Sequence, residues 1–111
     1  MKTVKISFID MALRRVIPDD TQYDVDDDAD FFDVLARIDE IYMKGPIKAK
    51  RGETVVRSIL QLVWNARNRE VYEDIGLEAR DPAQNWVPVR TDPSATVPDG
   101  TSIIITTDPG C

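Results

Sequence analysis

Six consecutive residues near the end of the chain, Ser102-Ile103-Ile104-Ile105-Thr106-Thr107, constrain the fold more than any other stretch. Their β-branched side chains are stiff about χ1 and pack well on a pleated surface, so the segment predicts a strand at the centre of a sheet. Val97-Pro98-Asp99-Gly100 reads as the turn that delivers the chain into it. At the other end Val4, Ile6 and Phe8 alternate with Thr3, Lys5 and Ser7, the period of a strand with one buried face. Leu13 to Pro18 is short and apolar enough to pair back on that strand as a hairpin, with Pro18 ending the ladder.

Between these β segments the period changes. Phe31, Val34, Leu35, Ile38, Ile41 and Tyr42 recur at three- and four-residue spacing and predict a helix near residues 29–44, capped by Asp28 or Asp30 and stopped by Gly45-Pro46. The charge is concentrated here: residues 19–40 hold ten acidic residues and one base, Arg37, so the other residues together carry +3 against a chain total of −6. After a basic connector, Lys44 through Arg51, Thr54 reads as the N-cap of a second helix with Val56, Ile59, Leu60 and Val63 as its stripe, ending near Asn65 to Asn68. Val71 to Ala79 and Trp86 to Val89 are weaker strand signals separated by the turn Asp81 to Asn85, and Pro88 suggests an edge.

Composition sets which functions fit. With 111 residues, 42% hydrophobic and 31% charged, the chain has the size and balance of one globular domain, able to bury roughly two-thirds of its unfolded surface without metal or disulfide staples. A net charge of −6 argues against a nucleic-acid partner, since phosphate backbones need clustered Lys and Arg. Histidine is absent, which removes the commonest general base and imidazole metal ligand, and with them the Ser-His and Cys-His nucleophile arrangements. The one cysteine, Cys111, stands at the end, so neither an internal disulfide nor a cysteine zinc site is expected. Asp24 to Asp30 has aspartates at alternate positions like a calcium loop, but Ala29 fills the place of the glycine and Leu35 that of the terminal glutamate, so no metal site is assigned. No stretch approaches a membrane span and no signal-peptide core is present, so the expected setting is the cytoplasm, without a membrane partner.

The order of these elements, a hairpin, a helix, weaker strands, a Pro-Asp-Gly turn, an apolar last strand and a short tail ending near Gly, resembles that of ubiquitin-like β-grasp proteins. Thr54 to Leu60 resembles the grasping helix of that fold and Val97 to Ile104 the approach to its last strand. The resemblance implies an α+β fold, a mixed sheet packed on a helix, over residues 1–107, with residues 108–111 as a flexible tail. The acidic helix would be an insertion between hairpin and main helix. An alternative pairs Ile47-Lys48-Ala49-Lys50 with the first strand and makes everything between them one excursion.

Function in the resembling families lies in the tail, where an activating enzyme adenylates a C-terminal glycine carboxylate. Without a Cβ, glycine lets backbone approach closely in a narrow channel. Thr106 to Gly110 reaches at most ~16–18 Å, enough to thread an enzyme cleft. The chain is most similar to bacterial ubiquitin-like modifiers encoded with activating, conjugating and peptidase partners. By that likeness a peptidase removes Cys111, Gly110 becomes the conjugating residue, and Asp108 and Pro109 are read by the matching enzymes. The modifier then passes as an ester or thioester to target proteins, antiviral defence being one possible role. ATP would be used by the activating enzyme, and this chain would hold no cofactor and no catalytic residue. Pro109 departs from the double-glycine ending and weakens a sulfur-carrier alternative; a further alternative is a noncatalytic subunit of an oxygenase or secretion assembly. Arg14, Arg15, Lys48, Lys50 and Arg51 are candidate partner-binding bases, with a solvated surface as their plain reading. Trp64 and Trp86 are read as core or rim residues.

Overall fold

A computed structural model describes residues 1–50 and 54–107. The principal sheet has four strands: β1 (Lys2–Ile9), β2 (Thr21–Val25), β7 (Gly76–Arg80) and β8 (Ser102–Thr106), in the order β2-β1-β8-β7. β1 and β8 run parallel at its centre with Ile6 opposite Ile103, while β2 and β7 flank them antiparallel. The β-branched segment is thus a central strand, as its composition predicts. Val4, Ile6 and Phe8 of β1, Tyr23 and Val25 of β2, Ala79 of β7, and Ile103 and Ile105 of β8 are buried in one core.

Helix α2 (Phe31–Tyr42) supplies Phe31, Val34, Leu35 and Ile38 to that core. Asp30 begins it with a reciprocal cap: its carboxylate accepts from the Asp33 amide at 2.9 Å, and the Asp33 carboxylate accepts from the Asp30 amide at 3.1 Å. Part of the aspartate concentration therefore satisfies helix-start amides that would otherwise lack partners.

The hairpin forms with a different second strand. Leu13 to Pro18 is not β: Asp10 caps a single helical turn, α1 (Met11–Arg14), and Thr21–Val25 pairs with β1. Asp10 offers its carboxylate to the amides of Ala12 and Leu13, and this local cap outweighs the strand preference of Val16 and Ile17. The alternative partner is not seen either. β3 (Ile47–Ala49) pairs instead with β4 (Thr54–Val56) in a separate ribbon.

The second helix is also shorter than its apolar stripe suggests. Residues 54–56 form β4, and Ser58 rather than Thr54 caps α3 (Ile59–Val63), its hydroxyl accepting from the Gln61 amide at 3.0 Å. The chain then enters a small ribbon of β5 (Trp64–Asn65) and β6 (Glu70–Val71), so the strand signal of residues 71–79 is split between β6 and β7. Trp86 to Val89 forms no strand beyond one bridge from Trp86 to Arg80. In the turn before β8, Gly100 has φ +79°, and a Cβ there would meet Pro82 Cγ at 2.7 Å, so only glycine fits.

Lys2 is buried although charged. Its ammonium donates to the carbonyls of Asp27 and Ala29, each at 2.9 Å, and to that of Val97, tying the β2–α2 connection to the turn before β8. Three acceptors match the three donors of an ammonium, which replaces much of the hydration lost on burial.

Candidate functional site

Because β1 and β8 are parallel, their C-terminal ends emerge side by side, with Ile9 opposite Thr106. The next residues, Asp10 and Thr107, are both buried, and the Thr107 hydroxyl donates to the Asp10 carboxylate at 2.5 Å. The Thr107 amide donates to the Ile9 carbonyl at 3.3 Å. The other Asp10 contacts come from elsewhere in the chain: its Oδ2 also accepts from the Lys50 amide at 3.0 Å, while its Oδ1 caps α1. One carboxylate thus holds together the end of β1, the start of α1, the end of β3 and the last described residue after β8.

Burial alone would push this carboxyl up. The hydrogen bonds from Thr107, Lys50, Leu13 and Ala12 outweigh it and hold the group below its ordinary value. A carboxylate stabilised in its charged form and engaged by four donors suits anchoring, since both its oxygens are occupied and proton uptake is disfavoured.

The candidate bases fall unevenly around this anchor. α1 packs beside β3, which brings Arg14 and Arg15 into the neighbourhood of Lys48 and Lys50. Arg14 and Lys50 are already committed: Arg14 donates to the Phe8 carbonyl at 2.6 Å and pairs with Asp19 at 3.4 Å, and Lys50 pairs with Asp74 at 2.7 Å and lies 5.4 Å from the Tyr72 ring centroid. Arg15 and Lys48 are exposed. Arg51 lies outside the described residues, as do the conjugation and processing residues Gly110 and Cys111 and the recognition residues Asp108 and Pro109.

The two tryptophans part company. Trp64 is half-buried and meets the Phe32 ring edge-on at 5.0 Å, whereas Trp86 is 63% exposed with the Arg80 guanidinium 4.0 Å from its ring centroid. Sequence reasoning missed the Asp10 anchor. Its local signal was an aspartate directly before a short run of helix formers, but its pairing with Thr107 joins residues 97 positions apart.

Among the described residues, no group of three or more His, Cys, Asp or Glu is placed to hold a metal ion, and no helix is long and apolar enough to cross a membrane. The fold and this junction define an α+β protein with a mixed four-stranded sheet whose central strand leads to the chain's last residues. Comparison with protein-family models, with curated proteins and with solved structures gives no match.

Proposed function

We propose that this chain is a ubiquitin-like protein modifier on a β-grasp fold, a carrier that other enzymes ligate through Gly110. The observation that carries the reading is the placement of β8: it is central, parallel to β1, fastened at Thr107, and followed in sequence by only Asp108 and Pro109 before Gly110. A firm body directly before a side-chain-poor glycine suits an enzyme that must grip the body while drawing the terminus into its cleft. The sheet order β2-β1-β8-β7, with α2 next in sequence after the hairpin, supports the β-grasp assignment. In that alignment α2 takes the place of the grasping helix, and the additional segment becomes residues 43–75 rather than the acidic helix.

In this reading a cytoplasmic peptidase hydrolyses the Gly110–Cys111 bond, and an activating enzyme joins the freed Gly110 carboxylate to the AMP part of ATP with release of pyrophosphate. A nucleophile of the conjugating enzyme displaces AMP, and a nucleophile of the target then displaces that enzyme and keeps the acyl group. Deleting residues 109–111 tests the proposal: covalent adducts of the tagged chain in its native host should vanish while noncovalent complexes persist. Adducts that survive the deletion reject it.

Exposed Trp86, stacked on Arg80, favours a second reading as a noncatalytic interaction subunit. There the same deletion would change nothing, and Trp86→Ala would weaken complex formation.

A further inference from the structure

The two edges of the principal sheet differ. Beyond β7 the chain returns, and the Val87 amide donates to the Ala79 carbonyl at 2.9 Å beside the Arg80–Trp86 bridge. Among the described residues, β2 has no such cover. In β1 the Lys5 amide donates toward β8, to the Thr101 carbonyl, so by the alternation of an antiparallel pair Thr21, Tyr23 and Val25 bond to β1 while Gln22 and Asp24 turn their backbone groups outward. Among the described residues, the N–H and C=O of Gln22 and Asp24 take part in no hydrogen bond across that edge.

Next to this edge lies a groove of about 650 Å³ between the end of β2, the connection after it and one face of α2. Met1, Val25, Ala29 and Ala36 form its apolar part, and Asp24, Asp26, Asp28, Asp33 and Glu40 bring five carboxylates to it. Its two cations are both paired: Arg37 with Glu40 at 3.4 Å, and the Met1 α-ammonium with Asp27 at 3.3 Å. The chain's acidic excess is therefore set beside unpaired strand backbone, and a strand added there, about 4.8 Å from β2, would turn alternate side chains toward these carboxylates.

We propose that the β2 edge receives an extended, Lys- or Arg-bearing segment of a partner protein by strand addition, with basic side chains at alternate positions meeting the acidic groove. The site is independent of the chemistry at Gly110. Charge complementarity selects a cationic segment, and the outward Gln22 and Asp24 backbone selects an extended one.

The test uses the full chain and a fluorescein-labelled heptapeptide with Lys at odd and Val at even positions, read by fluorescence anisotropy and by amide chemical shifts. The expected result is saturable binding with the largest shifts at Gln22 and Asp24. N-methylating the peptide amides on one edge should weaken binding at least tenfold, and replacing its Lys by Glu should abolish it. Asp28→Lys and Glu40→Lys, both exposed substitutions, should each weaken binding several-fold without loss of helical signal. Absence of saturable binding overturns the proposal. So does undiminished affinity of both edge-methylated peptides, which would mean charge attraction without strand pairing, or undiminished affinity of both charge-reversal variants.

Discussion

Replacing Asp10 by Asn separates the two jobs of its carboxylate. Asn retains an oxygen for the α1 cap, where Ala12 and Leu13 donate at 2.9 and 3.2 Å, but sets an NH2 group against the Lys50 amide that Oδ2 accepted at 3.0 Å. Thr107 keeps an alternative in the Ile9 carbonyl, 3.4 Å from its hydroxyl, so the main loss is one partly buried amide without a partner. Such a group costs about 1–3 kcal/mol. In a domain of this size 1 kcal/mol corresponds to roughly 4 °C in Tm, so the expected fall is ~4–12 °C. Asp10→Ala also loses the cap, about 1 kcal/mol more. The pH dependence has a definite sign. A carboxyl held below its ordinary value contributes stability that is full above the unfolded-state value, about 3.9, and is lost as pH falls through the lower folded-state value. Urea unfolding followed by circular dichroism should therefore show the full gap between wild type and Asp10→Asn at pH 7 and a closing gap below about pH 4. Equal stability at pH 7, or a gap that persists unchanged at pH 2.5, would refute the anchoring argument.

Other positions give outcomes of different sign. Tyr23→Phe should be neutral or stabilise by up to ~1 kcal/mol in the same assay, because the Tyr23 hydroxyl is buried without a hydrogen-bond partner among the described residues and its removal relieves a desolvated group. Lys2→Met should destabilise by about 2–4 kcal/mol, since it strips the ammonium from the carbonyls of Asp27, Ala29 and Val97 and leaves buried acceptors behind. Asp39 contrasts with Asp10: burial pushes its carboxyl up despite hydrogen bonds from the Ile59 and Leu60 amides. Its folded form takes up a proton more readily than the unfolded chain, so its contribution to stability falls as pH rises from about 4 through the raised value. Asp39→Asn should remove that slope, retain an acceptor for the Ile59 amide now at 2.7 Å, and change stability at pH 7 by less than ~1 kcal/mol.

What could be read from sequence was what local chemistry decides without competition. The β8 stretch has no helical alternative of similar strength, and the α2 stripe carries its own start signal at Asp30. Misreadings arose where two local signals compete. Thr21-Gln22-Tyr23-Asp24-Val25 alternates correctly for a strand, but it begins the acidic stretch and was overshadowed by the apolar Leu13 to Pro18, which Asp10 turns into α1 instead. Thr54 and Ser58 both suit a helix start; pairing of Val56 with Ile47 makes the first a strand and leaves the cap to Ser58. The Asp10–Thr107 anchor and the three-carbonyl seat of Lys2 rest on contacts across most of the chain, and no periodicity encodes those. For the tail residues, sequence alone supplied the reading.

Under the proposed function, Gly110 forms a covalent bond to other proteins. Digesting denatured adducts with a protease that cuts before aspartate should leave the remnant Asp108-Pro109-Gly110 on target peptides, its mass showing whether Cys111 has been lost. The expected result is that remnant, ending at Gly110, on target side chains. Adducts that carry Cys111, or that join through any other residue of this chain, would contradict it.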